Sequence, residues 1–222
     1  MKIALFGGSF NPVHYGHLRL AVEVLEALKP DRLDFIPCAN PPHKSGPALL
    51  PFSLRVKILR EVCGNYPEFY VNTLEADRAG ASYTKDTLAE YKKNYPTEEL
   101  YFILGSEDFA QLDAWRYWRM LPSFATLLVV PRQGVEEAEF IEHVASFWPE
   151  AARMGDLPDF ARSGYAECGQ GKVLYMPLPR LDINASLVRR RWMDGRKIDF
   201  WTPSAVIREL EEQRDLVETH WK

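Results

Sequence analysis

The sequence predicts an α/β protein, a doubly wound and mostly parallel sheet with helices on both faces. Three observations carry that prediction. The runs 3–6, 33–37, 69–72, 100–104, 125–130 and 173–176 are apolar on both faces, as strands covered by helices on each side must be. The stretches between them show helical spacing. The first run ends directly in Gly7-Gly8, and ligands of such sheets bind beyond the carboxyl ends of the strands.

Taken in order, Ile3-Ala4-Leu5-Phe6 forms the first strand. Leu18, Ala21, Val22, Leu25 and Leu28 then lie along a helix that starts near Gly16 and stops at Pro30. Strand 33–37 leads into Asn40-Pro41-Pro42-His43-Lys44, and Ser53 is read as the cap of a helix carrying Leu54, Ile58, Leu59 and Val62. After strand 69–72, Ser82-Tyr83-Thr84-Lys85-Asp86-Thr87 reads as a helix start, continued by Leu88 and Tyr91 and ended by Asn94-Tyr95-Pro96. Strand 100–104 delivers Gly105-Ser106-Glu107-Asp108, with Trp115 ten residues past the glycine. After strand 173–176, Asn184 or Ser186 begins the helix that holds Arg189, Arg190 and Arg191. Residues 134–171, acidic and then rich in Gly, Pro and Ala, read as a helix plus loop added to one domain spanning 1–222, with no chemistry of its own.

Composition excludes several classes. The 222 residues are 46% hydrophobic, enough for a sizeable core. With 27 basic and 31 acidic residues the net charge is −4, which argues against broad nucleic-acid binding but permits a local cationic pocket. Three widely spaced cysteines, Cys38, Cys63 and Cys168, form neither a disulfide framework nor a C-x-x-C pair, which suits a reducing cytosol. No apolar run approaches membrane-spanning length and no signal-peptide core is visible, so the expectation is a cytoplasmic protein without a membrane partner.

The chemistry concentrates in five clusters. In GGSFNPVHYGH, residues 7–17, Gly7 and Gly8 remove the Cβ atoms that would keep backbone from a phosphate. A helix beginning near Gly16 aims N–H groups and the positive end of its dipole at the same place. His14 and His17 stand one turn apart, so both rings can face one ligand oxygen. The prolines of the second cluster hold an extended loop that presents His43 and Lys44 as a cationic pair. In the third, Arg189 falls three residues after Ser186 and can share the first turn's ligand, whereas Arg190 reads as a solvated charge. The fourth, 82–87, offers hydroxyls and backbone amides. In the fifth, Glu107 or Asp108 can accept from a ribose hydroxyl, and Trp115 is either a stacking surface or core. The alternative for the histidines is a zinc site, but Gly7, Gly8 and Pro12 are irrelevant to zinc and no third and fourth ligand stands at a recognisable spacing.

Together the segments GGSFNPVHYGH, PPHK, SYTKDT, a strand-end glycine with a following Trp, VVPR and I-x-A-S-x-V-R resemble the bacterial nicotinate-mononucleotide adenylyltransferases of the H-x-G-H nucleotidyltransferase superfamily, across nearly the whole chain. The resemblance implies a Rossmann-like nucleotidyltransferase fold and transfer of the adenylyl group of ATP to nicotinic acid mononucleotide, with release of pyrophosphate. It implies catalytic roles for His14, His17, Lys44 and Arg189. It assigns ATP to Gly7, Gly8, Ser9, Phe10, Gly16, His43, Gly105, Glu107, Asp108 and Ser186. The mononucleotide falls to Asn11, Ser82, Tyr83, Thr84, Thr87, Trp115 and Arg132. Mg²⁺ is expected to arrive with ATP, with no protein metal ligands, and a homo-oligomer is allowed. Two positions depart from the family pattern: Glu107 stands where Asp is usual, and Asn184 where Ser is usual. Two other readings stay open, a nucleotide sensor that keeps the fold without catalysis and an enzyme that prefers the amide mononucleotide.

Overall fold

Burial follows the strand pattern. In the computed structural model, which describes residues 1–42, 49–131, 137–179 and 181–222, Ile3, Ala4 and Leu5 of β1 (Lys2–Gly8) have no exposed surface. The same holds for Leu127, Leu128, Val129 and Val130 of β5 (Thr126–Val130), as expected of strands covered on both faces. The other strands are β2 (Arg32–Pro37), β3 (Phe69–Val71), β4 (Glu99–Gly105), β6 (Ala152–Arg153), β7 (Ser163–Cys168) and β8 (Gly171–Tyr175). They lie in the order β3-β2-β1-β4-β5-β8-β7-β6. Strand β1 runs parallel to β4 with Phe6 opposite Ile103, β4 parallel to β5 with Gly105 opposite Val130, and β5 parallel to β8. Pairings β8–β7 and β7–β6 are antiparallel. The order switches direction between β1 and β4, and both strands end on glycine there, Gly8 and Gly105.

The helices are α1 (Tyr15–Leu28), α2 (Phe52–Cys63), α3 (Thr84–Asn94), α4 (Ser106–Ala110), α5 (Leu121–Phe124), α6 (Glu137–Phe147), α7 (Ala185–Met193), α8 (Ser204–Glu212) and α9 (Arg214–Trp221). Among the described residues no helix is long and apolar enough to cross a membrane.

The chain divides into two compact units. The first comprises 1–7, 23–33 and 83–180. Its core includes Phe109, which packs on Phe140 with ring centroids 5.4 Å apart and edge-on to Phe147 at 5.7 Å. The segment expected to be a helix plus loop supplies α6 and also two antiparallel strands, β6 and β7. Strand β7, Ser-Gly-Tyr-Ala-Glu-Cys, mixes polar and small residues, and a search for continuous apolar runs passes over it. The turn into β8 is tight: a Cβ on Gly171 would lie 1.7 Å from the Pro122 carbonyl oxygen, so only glycine fits.

The second unit comprises 8–22, 34–82 and 181–222. Leu54, Ile58, Leu59 and Val62 of α2 are buried as their spacing requires. Ser53, however, is not the cap. Helix α2 starts two residues earlier than that cap would place it, at Phe52, behind Pro51 at φ −48°, and the Leu54 and Arg55 amides donate to the Pro51 carbonyl. Proline's fixed φ starts the helix, and no side chain caps it. In α7 the cap is Asn184, whose Oδ1 accepts from the Leu187 N–H at 2.8 Å.

Candidate active site

The second unit gathers the glycine turn, the histidine pair and Arg189. Gly8 leads into Phe10, which is buried and held at φ 44°, a left-handed conformation rarely adopted by an aromatic residue. A Cβ on Gly8 would meet the Phe10 ring at 3.0 Å, so this glycine makes room for a side chain of its own turn. In the first unit a Cβ on Gly7 would lie 3.3 Å from the Phe102 ring.

Helix α1 begins at Tyr15, with the His14 carbonyl accepting from the His17 and Leu18 amides. The two imidazoles stack, centroids 3.7 Å apart and 32° between planes, and the Phe10 ring meets His17 edge-on at 5.1 Å. His17 Nδ1 accepts from the His14 backbone N–H at 3.3 Å, which places the proton of a neutral ring on Nε2. Nε2 is then a hydrogen-bond donor suited to a phosphate oxygen. His14 has no exposed surface, and His17 is half-buried. In this conformation the pair therefore offers an approaching phosphate the His17 ring and not both rings equally.

The start of α1 is also less open than its sequence suggests. The Tyr15 N–H donates to the Trp201 carbonyl at 3.0 Å, and the Thr202 hydroxyl, fully buried, donates to the Val13 carbonyl at 2.8 Å. Two residues from the far end of the sequence thus hold the backbone on either side of His14. A Cβ on Gly16 would sit 2.9 Å from both His14 Nδ1 and the Ile183 carbonyl, which explains the glycine inside H-x-G-H.

Arg189 projects from α7 back to the glycine turn. Its Nη1 donates to the Asn11 carbonyl at 2.8 Å and its Nη2 to Ser186 Oγ at 3.0 Å. Partial burial holds its pKa below the usual arginine value. Asn11 is buried, and its Oδ1 accepts from the Leu50 N–H at 3.1 Å. Ser82 pairs with Asn40: the Asn40 N–H donates to Ser82 Oγ at 3.1 Å and the Ser82 N–H to the Asn40 carbonyl at 2.8 Å. His43, Lys44 and Arg132 lie outside the described residues.

The first unit holds the remaining candidates. Tyr83 precedes α3, and its carbonyl accepts from the Asp86 and Thr87 amides. The helical ladder thus leaves Thr84 and Lys85 as the first-turn amides without an intrahelical acceptor, a narrower set than 84–87. Thr87 is buried, with its hydroxyl turned toward the Tyr83 carbonyl at 3.5 Å. Gly105, the last residue of β4, immediately precedes α4, where Ser106 is buried, Glu107 half-buried and Asp108 exposed. Trp115 follows a 3-10 turn at Leu112–Ala114 and is half-buried, and among the described residues no aromatic ring packs on it. It is Trp118 that packs into the core, on Phe147 at 5.0 Å.

Sequence reasoning missed three contributors. Arg116, beside Trp115, lies between the rings of Tyr83 at 4.9 Å and Tyr117 at 5.0 Å, an exposed cation–π pair of contacts. Thr202 was hidden because a lone threonine carries no motif. Arg55 was passed over although it occupies the first position of the stripe Arg55, Ile58, Leu59, Val62, where a buried cation is itself the signal. Among the described residues no three His, Cys, Asp or Glu side chains are grouped to hold a metal ion.

Comparison with known proteins agrees with this architecture. The cytidylyltransferase-like family model matches residues 5–191. The probable nicotinate-nucleotide adenylyltransferase of Geobacter metallireducens is 35% identical over 96% of this chain and 97% of its own. That of Thermus thermophilus is 36% identical over 93% and 94%. A solved structure, the Plasmodium falciparum nicotinic acid mononucleotide adenylyltransferase complexed with NaAD, covers 100% of this chain and 99% of its own with a TM-score of 0.74, at 17% identity. That last likeness is one of fold, whereas the sequence relatives carry the kinship: the chain belongs to the cytidylyltransferase-like family, among its nicotinate-nucleotide adenylyltransferases.

Proposed function

We propose that the protein transfers the adenylyl group of ATP to nicotinic acid mononucleotide, forming nicotinic acid adenine dinucleotide and pyrophosphate. The observation that carries the reading to these residues is the His17 ring, whose Nδ1 accepts the His14 N–H and so leaves Nε2 to donate, in the same unit as an Arg189 anchored on the glycine turn.

The nucleophile is a phosphate oxygen of the mononucleotide, already ionised at neutral pH, so no general base is required. It forms a bond to the α-phosphorus as the bond to the β-phosphate oxygen breaks, and pyrophosphate leaves with that electron pair. Charge spreads over the α-phosphoryl oxygens and the leaving group, and the chain's task is to position and neutralise it. His17 donates from Nε2 to the transferring phosphoryl group, and His14 supports it from beneath. His43, Lys44 and Arg189 hold the outer phosphates, and Gly7, Gly8, Ser9, Phe10, Gly16 and Ser186 line the nucleotide's path. Gly105 with Glu107 or Asp108 takes the ribose. Mg²⁺ enters as part of MgATP, neutralising the triphosphate. Trp115 stacks on the pyridinium ring, and the Thr84 and Lys85 amides suit the acceptor-only nicotinate carboxylate better than a carboxamide. Asn11, Ser82, Tyr83, Thr87 and Arg132 complete the mononucleotide side. Substrates of this kind and three free thiols suit a cytoplasmic enzyme.

A coupled pyrophosphate-release assay tests the reading, comparing acid with amide mononucleotide and ATP with CTP. Release with ATP and the acid, at least about tenfold faster in kcat/KM than with the amide, is expected from one mismatched donor. Equal use of both mononucleotides overturns the substrate assignment, and binding without turnover overturns catalysis.

A further inference from the structure

Arg55 is the most deeply buried arginine or lysine among the described residues, 1% exposed on a helix whose other buried residues are aliphatic but for Cys63. A charge in such a place is costly unless its donors are met. They are met by three backbone carbonyls from three separate segments. Nη1 donates to Ser9 at 2.7 Å, Nη2 to Cys38 at 2.9 Å and Nε to Leu50 at 3.0 Å. Ser9 belongs to the glycine turn, Cys38 follows the last residue of β2, and Leu50 precedes α2. The guanidinium also lies over the Phe52 ring, 5.4 Å from its centroid.

The same three segments are cross-linked without Arg55. The Cys38 N–H donates to the Gly8 carbonyl at 2.9 Å and the Leu50 N–H to Asn11 Oδ1 at 3.1 Å. From Asn11 the chain of bonds continues through its carbonyl to Arg189. A planar fork with rigid donors can satisfy three diverging carbonyls at once, and a lysine ammonium at the end of a flexible stem does not reproduce that geometry.

We propose that Arg55 is a positioning residue for the nucleotide: its buried fork fixes the glycine turn relative to residues 38 and 50, the two ends of the segment that contains His43 and Lys44. It touches no substrate and acts through the backbone it holds. The inference rests on the reading that ATP occupies the glycine turn.

The test is Arg55→Lys, which keeps the charge and loses the fork. Its kcat/KM for ATP should fall about 10- to 100-fold, as expected for a misplacement near 1 Å, while the KM for the mononucleotide changes less than about threefold. Thermal unfolding, followed on the same sample, should place it still folded at the assay temperature. Arg55→Lys with normal kinetics per folded molecule, whatever its melting temperature, would show a merely structural residue and overturn the inference. A wild type inactive with ATP would instead overturn the functional reading and leave that outcome recognisable. If Arg55→Lys does not fold, hydrogen exchange on the wild type without nucleotide decides. The Cys38 and Leu50 amides should be protected like those of β1, and exchange as fast as in an exposed loop would overturn the preformed clamp.

Discussion

Asn184 stands at the start of α7, and the loss of its side chain can be followed from structure to kinetics. Its Oδ1 accepts the Leu187 N–H at 2.8 Å, the bond of an N-cap. Asn184→Ala leaves that amide to water, at a cost of about 1 kcal/mol. For a chain of this size 1 kcal/mol corresponds to about 2–4 °C in Tm. The first turn of α7 carries Ser186 and ends at Arg189, whose Nη2 bonds Ser186 Oγ at 3.0 Å. If the cap is what keeps this turn formed, the weakening of ATP binding cannot exceed the same 1 kcal/mol, a factor of about five in KM. Asn184→Ser should recover both losses, because a serine hydroxyl caps as well as an asparagine oxygen. Thermal unfolding by circular dichroism and pyrophosphate release against ATP concentration read the two quantities. An Asn184→Ser protein as impaired as Asn184→Ala would refute the argument, for it would assign the effect to the amide NH₂ and not to the cap.

Other outcomes follow from the site. His17→Ala should lower kcat by about 10²–10³, as for loss of one oxyanion donor, with far less change in ATP affinity; near-normal turnover would remove the ring from the mechanism. Arg189→Ala should raise the KM for ATP and leave that for the mononucleotide nearly unchanged, and the reverse pattern would exchange the two substrate sites. Trp115→Phe should weaken acid and amide mononucleotides together, since both rings carry the pyridinium charge, so a shift in their kcat/KM ratio would refute a purely stacking role. Burial pushes the Cys63 and Cys168 thiols up to about 12 from 9.0. In the unfolded chain they ionise first, so between those values the unfolded state binds fewer protons and stability falls as pH rises; below that window they contribute no slope. The double variant Cys63→Ala/Cys168→Ala should flatten Tm against pH between about 9 and 11, and an unchanged slope would refute it.

The parallel strands are legible because burial on both faces leaves continuous apolar runs, and the helices between them because Pro30 and Asn94-Tyr95-Pro96 mark their ends. Strand β7 is not legible: a strand with one face partly exposed and a Gly, an Ala and a Glu in it resembles a loop. The motifs of the candidate site can be located in the sequence as glycines, paired histidines and a capped arginine helix, and the structure gathers Gly8, His14, His17 and Arg189 in one unit. What the sequence does not carry is orientation. That His14 is buried under His17, and that Arg55 serves three carbonyls, depends on contacts between segments far apart in sequence. The apolar periodicity around Arg55 invites the reading that α2 is an ordinary amphipathic helix, and the one inward cation is lost in that pattern.

The bonds on either side of His14 have a consequence for how the protein comes into being. The H-x-G-H segment is synthesised well before its partners: Val13 waits for Thr202, 189 positions later, and Asn11 for Arg189, 178 positions later. A chain halted or clipped before residue 201 carries the H-x-G-H segment in full but lacks the Trp201 and Thr202 bonds to Tyr15 and Val13. The backbone around His14 thus reaches its full set of bonds only once residue 202 has been added.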